Sequence, residues 1–262
     1  MLPTLISWGP LVVRTLNIFA IIAFFVSGFI FWKKGREEHY EEDELFDGFI
    51  LALLVALIFA RLGFILTHFA SFSINILAWL DLVGHPGLNG IFGGVSGTIF
   101  IYRFAQKKKW DAFEILDFWV TSLAICLAIV SVGLFFDGSG YGYATNLPWG
   151  FIFPGVFEKH HPVQLYSAFL YLGLFIYLIK LEYKYRTFVW YKAKRKSAQT
   201  GFLFGFFLIA MGLFELILSF VTPSQLKFYN FDLDGLWAVG ISLLGLFILL
   251  LRAGRIPFWG QK

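Results

Sequence analysis

Apolar residues in this chain fall in long runs, and that pattern constrains the fold more than any other feature. Seven runs, at about 11–32, 48–70, 88–105, 112–136, 162–182, 201–222 and 234–252, can be read. Most approach or exceed the ~20 residues a helix needs to cross the hydrocarbon of a bilayer. The run at 88–105 is the shortest and is glycine-rich. With 58% hydrophobic and 15% charged residues, the 262-residue chain has too little polar surface to cover these runs in water. Open strand edges cannot be satisfied in lipid, so the runs are read as helices. The expectation is an all-α membrane protein, a single integral domain over 1–262 with seven transmembrane helices.

Charge supplies an orientation. Seventeen of the 21 Lys and Arg lie in, or within three residues of, the connections after the first, third and fifth runs and the C-terminal tail. The N-terminus and the other connections hold only Lys159 and Lys227, while Arg14 and Arg61 sit at the edge of a run and within one. The positive-inside rule then places the N-terminus outside and the C-terminus in the cytoplasm. Basic stretches such as "RFAQKKKW" and "YKAKRKSAQ" are explained by this topology and by anionic lipid, so no nucleic-acid partner is expected. The opening "MLPTLISWGP" has no Lys or Arg, so no cleaved signal peptide is expected. The single cysteine, Cys126, lies inside an apolar run, which leaves no disulfide framework or thiol metal cluster within one chain. No cofactor or metal is expected.

Strongly polar residues at membrane depth are costly and are functional-site candidates by default. Arg61 and Glu215 each lie roughly 20 Å along runs of the same direction, at ~1.5 Å per residue, which invites an ion pair between them. Arg14 and Asn17 enter from the outer side of the first run. His161 and Gln164 open the fifth, three residues apart on one predicted helix face, with Pro162 suited to the first turn. Ser131 and Ser139 bracket the outer end of the fourth. These groups gather towards the extracytoplasmic leaflet, either as a lipid headgroup site in which a guanidinium holds phosphate or as polar glue between helices. Gly90, Gly93, Gly94 and Gly97 suit close helix approach or backbone approach to a phosphate. The long connection 137–161, rich in Gly, Pro and aromatics, reads as a lid, a segment lying on the headgroups, or a connector.

Taken in order, these stretches resemble the bacterial prolipoprotein diacylglyceryl transferases. "HPVQLYSA" is similar to that family's His-Pro-x-Gln-Leu-Tyr-Glu motif, and "TNLPWGFIFPG" to its Thr-Asp-Leu-Pro-Trp-Gly segment. "GPLVVR", "KKGREEHYEEDELFD" and "ARLGFIL" fall in the family's order, so that the resemblance covers about residues 6–252. It implies a multi-pass protein of the bacterial cytoplasmic membrane that moves diacylglyceryl from phosphatidylglycerol to the thiol of a lipobox cysteine in a precursor signal peptide.

Several motif positions differ from the family. Phe92 stands for a histidine, Ser131 for an arginine, Leu134 for an asparagine and Ser139 for a glutamate. Met211 stands for a tyrosine, Glu215 for an arginine, Ser219 for a glutamate and Ser167 for the glutamate that closes the His-Pro motif. The residues that remain to carry the reaction are Arg14, Arg61, His161, Gln164 and Tyr166. Taken with the polar residues at membrane depth, the expected catalytic set is His161, Arg61 and Glu215, with Arg14, Asn17, Gln164, Tyr166, Ser131 and Ser139 contacting lipid. The alternative reading is a non-catalytic member of the fold that binds lipid or signal peptide.

Overall fold

The computed structural model describes residues 2–8, 11–72, 76–81, 85, 87–186, 199–224, 227–228 and 231–253. Two strands, β1 (Thr4–Trp8) and β2 (Leu11–Arg14), precede helices α1 (Thr15–Glu37) and α2 (Glu42–Thr67). Two short helices, α3 (Phe69–Phe72) and α4 (Ile76–Leu80), lead to α5 (Gly90–Lys107) and α6 (Ala112–Asp137). The strand pair β3 (Phe151–Ile152) and β4 (Lys159–His160) precedes α7 (Val163–Arg186) and α8 (Phe202–Ser219). A last pair, β5 (Lys227–Phe228) and β6 (Phe231–Asp232), leads into α9 (Asp234–Arg252). The chain divides into two compact units, one formed by Met1–Ile30 with Val120–Lys262 and the other by Phe31–Trp119.

Among the described residues, six helices are long and apolar enough to cross a membrane: α1, α2, α6, Val163–Lys184 of α7, α8 and α9. The seventh expected span is helical too, as α5, but it has 18 residues and is not among those six. The first span was expected to begin at residue 11. Instead, Leu11–Arg14 pairs antiparallel with Thr4–Trp8, so α1 starts at Thr15 and Arg14 closes a strand. Apolar content hid this boundary, since β-branched Val12 and Val13 suit a strand as well as the start of a span.

In the unit Phe31–Trp119, α2 and α5 interlock through small residues. A Cβ added at Gly93 would lie 3.1 Å from the Ala56 carbonyl oxygen, and one at Gly97 3.2 Å from the Ala56 Cβ. Helix packing is therefore the role of these two glycines, while Gly90 and Gly94 face open space. Asn89 caps α5 by accepting from the Ile91 and Phe92 amides at 3.1 and 3.3 Å. Three acidic residues in the first turn of α2 and Lys34 and Arg36 in the last turn of α1 complement the helix dipoles.

In the other unit, α8 and α9 approach along Gly205, Gly212, Ala238, Ser242 and Gly245, a small-residue seam of the kind that brings membrane helices close. A Cβ at Gly245 would meet the Gly205 carbonyl oxygen at 2.6 Å and the Ile209 amide nitrogen at 2.8 Å. Gly245→Val is therefore expected to cost ~1–3 kcal/mol by overpacking and to lower the unfolding temperature of the detergent-purified protein. Gly240→Ala, at a helical glycine with nothing within 4 Å, is the control and is expected to hold or raise it.

Candidate functional site

The end of α6 organises one polar cluster. Gly138, at φ 79°, takes the left-handed conformation that ends helices, and the Gly138 and Ser139 amides return to the Leu134 carbonyl at 3.0 and 3.2 Å. That turn folds Ser139 back so that its Oγ donates to Asp137 Oδ2 at 2.9 Å. Asp137 is the last residue of α6, where a carboxylate meets the negative end of the helix dipole, and its side chain is 1% exposed. Arg14 compensates it with a two-pronged pair, Nε to Oδ1 at 3.0 Å and Nη2 to Oδ2 at 2.7 Å. The segment before β1 is fastened there as well, by the Leu2 amide to the Phe136 carbonyl at 3.2 Å and by the Thr15 hydroxyl to the Leu2 carbonyl.

Gln164, on α7, joins this cluster by donating from Nε2 to the Ser139 carbonyl at 2.8 Å. The structure thus connects three expected site residues, Arg14, Ser139 and Gln164, through one the sequence reading missed, Asp137. The available signal was a lone acid closing an apolar run just before "GSG". Ser131 is not a member, because its Oγ donates to the Leu127 carbonyl of its own helix at 2.7 Å. Asn17 is exposed on α1.

His161 and Gln164 do not share a helix face. The helix α7 begins at Val163, and His161 belongs to the preceding extended segment, its backbone bonded to Tyr143 and Gly142. Its Nδ1 lies 3.4 Å from the Tyr166 hydroxyl, which also accepts from Trp149 Nε1 at 3.0 Å. A His161–Tyr166–Trp149 group therefore stands beside the start of α7, with Trp149 supplied by the connection 137–161. The neighbouring His160 Nδ1 is 2.8 Å from the Gly142 carbonyl oxygen.

Glu215 of α8 accepts from the hydroxyl of Tyr171 at 2.8 Å. Tyr171 lies two turns beyond Gln164 on the same buried face of α7 and is 4% exposed. In the other unit, Arg61 is 9% exposed, and its five N–H donors all meet backbone carbonyls. Nε reaches Trp79 at 2.8 Å, Nη1 reaches His85 and Gly87 at 2.7 and 3.1 Å, and Nη2 reaches Ala78 and Asp81 at 3.2 and 3.0 Å. The Phe72 ring lies 5.1 Å from the guanidinium carbon. Arg61 thus has its donors filled within its own unit, and Glu215 has a hydroxyl partner within its own. The desolvation that motivated an Arg61–Glu215 pair is offset for the arginine by the backbone carbonyls at 78, 79, 81, 85 and 87, which it holds together.

The family model described as prolipoprotein diacylglyceryl transferase matches residues 3–251. Several relatives are named phosphatidylglycerol–prolipoprotein diacylglyceryl transferase. The one from Aeromonas salmonicida is 28% identical over 236 residues, 87% of this chain and 80% of the relative. That from Idiomarina loihiensis is 25% identical over 257 residues, covering 95% and 92%. A third, from Pseudoalteromonas translucida, is 27% identical over 269 residues, covering 99% and 93%.

Two expected outcomes follow from this geometry. Arg61→Lys keeps the charge but offers three donors in place of five, so amide hydrogen exchange should quicken across 76–89, nearly as much as in Arg61→Gln. Arg14→Ala strands the buried Asp137 carboxylate, whereas Asp137→Ala leaves a half-exposed arginine that water can solvate. Thermal unfolding should therefore show Arg14→Ala as the more damaging change, with partial recovery on adding Asp137→Asn.

Proposed function

The chain belongs to the prolipoprotein diacylglyceryl transferase family, and on that premise we propose that it transfers diacylglyceryl from phosphatidylglycerol to a lipobox cysteine. The family match over residues 3–251 carries this reading. The expected setting is a bacterial cytoplasmic membrane crossed by seven helices, α5 included, with the N-terminus outside. The segregation of Lys and Arg supports that orientation. A cluster built from the start of α1, the end of α6 and the start of α7 then lies on the outer side, within reach of lipid headgroups and of a secreted precursor.

In the reaction, the cysteine sulfur attacks the glyceryl carbon, the carbon–oxygen bond to phosphate breaks, and glycerol phosphate leaves with the electron pair. The thiol proton needs an acceptor, because the thiolate is the nucleophile. We assign this to His161. With Nδ1–H on the Tyr166 oxygen, its Nε2 is left to take the proton. The leaving phosphate needs a cation. Arg61 has no donor to give, whereas Arg14 spends two of its five donors on Asp137 and is 48% exposed. Arg14 is therefore assigned to the phosphate. Glu215, on the Tyr171 hydroxyl, is assigned no step.

A second reading is a lipid- or signal-peptide-binding member of the family that performs no transfer. The pairing of Arg14 with Asp137 favours it, because a neutralised guanidinium attracts an anion less strongly. One assay separates the two. Purified protein with headgroup-labelled phosphatidylglycerol and a lipobox peptide is expected to release glycerol phosphate in step with thioether-modified peptide. A Cys→Ser peptide should give none, and His161→Ala should slow release by about 10²-fold or more. No release above a boiled control would leave the binding reading in its place.

A further inference from the structure

The connection between α6 and α7 carries the most exposed large apolar side chain among the described residues, Phe157, at 99%. Its position is built by the backbone. Phe153, Pro154, Gly155 and Val156 form a type II turn, with proline second, Gly155 third at φ 83° and the Val156 amide on the Phe153 carbonyl at 3.2 Å. Below the turn, β3 pairs with β4, and the Thr145 amide joins the Lys159 carbonyl at 2.7 Å. The two sides of this finger differ. On one side, Phe153 is buried against Tyr141, with ring centroids 4.9 Å apart, and Phe151 meets Phe135 of α6 at 5.2 Å. On the other, Ile152 is 58% exposed opposite its cross-strand partner, the exposed Lys159. Trp149 is exposed as well, and residues 138–157 include no charged side chain. A bare apolar side and tip of this kind mark a surface that something covers.

We propose that this finger is seated in the boundary between headgroups and acyl chains of the bilayer that the helices cross, with Phe157 and Ile152 as its apolar insert. The root decides the occupant. The Gly142 and Tyr143 amides bond the carbonyls of His161, just before α7, and Val221, just after α8, at 2.9 and 2.8 Å, and the chain leaves α6 at Asp137. Three helices long and apolar enough to cross a membrane therefore end at the root, which places it at the bilayer surface. The finger also continues the apolar surface of α6, through Phe151 on Phe135 and the exposed Phe136 beside it. Its chemistry matches an interface: aromatic and aliphatic side chains at the insert, and at the rim a lysine whose stem lies on apolar surface while its amine reaches water. A peptide would cover one side of the finger, whereas the lipid boundary covers side, turn and tip together. Trp149, at the foot, donates to the Tyr166 hydroxyl beside His161, so the seat of the finger sets the height of His161 relative to the headgroups. The proposal goes beyond the transferase reading and needs only that α6, α7 and α8 cross a membrane. The orientation given above makes the leaflet the outer one.

The test reads depth. Cys126→Ser, a change of one atom, leaves a chain without cysteine, so a bimane label on Phe157→Cys reports a single place, and the bare position of that side chain spares the fold. The full chain is placed in nanodiscs of phosphatidylglycerol and phosphatidylcholine. The label at 157 is expected to shift its emission to the blue, to be quenched by lipids brominated near the top of the acyl chains, and to lose quenching by iodide. A label on Glu41→Cys, exposed at the start of α2, is the water control and should respond to iodide. Iodide quenching at 157 without quenching by bromolipid overturns the proposal, because the finger then stands in water. Iodide quenching that disappears only when a lipobox peptide is added assigns the finger to the peptide, and shielding from both quenchers assigns it to a second copy of the chain. Either result overturns the bilayer seat. None of these readouts needs turnover. Absence of glycerol phosphate release therefore leaves the seated finger standing, and release from a protein whose finger meets iodide removes the finger while sparing the transferase.

Discussion

A charge or an unmet polar group inside an apolar helix assembly costs several kcal/mol, and the arrangement of this chain depends on how that cost is met. Each case uses a different device. Arg61 is surrounded by five carbonyl dipoles from the chain between 78 and 87, so that a buried guanidinium needs no carboxylate. Asp137 is held by both prongs of Arg14 and by Ser139. Glu215 takes the hydroxyl of Tyr171. Compensation within each unit fixes which side chains remain open to a ligand, and that decides the chemistry available.

The helical framework was legible because apolar run length has a direct physical meaning in lipid. The runs at 48–70, 112–136, 201–222 and 234–252 correspond closely to α2, α6, α8 and α9. The misread boundary at the first run has a clear cause. Leu11–Arg14 is as apolar as a span, but its partner strand lies upstream, and hydropathy carries no information about pairing. Glycines at 93 and 97 were legible as packing sites because their spacing repeats along a helix face.

The site was legible in part, and the division follows the kind of interaction. Side chains that meet side chains leave a trace in residue type, so Arg14, Ser139 and Gln164 could be drawn together from their shared position near span ends. Asp137 escaped because it reads equally well as the first residue of a loop. The Arg61 arrangement left no trace, since backbone carbonyls are supplied by every sequence alike. Matched depth suggested Glu215 as its partner, but depth counts residues along a helix and is silent on what a loop folds over. His161 shows the same limit at one-residue scale. Its spacing from Gln164 implies a common face only if the helix has already begun, and here it begins at Val163.

The pairing of Arg14 with Asp137 also bears on how any phosphate is held. A guanidinium with two of its five donors on a buried carboxylate offers an anion less potential than a free one, and only along the edge pointing away from Asp137.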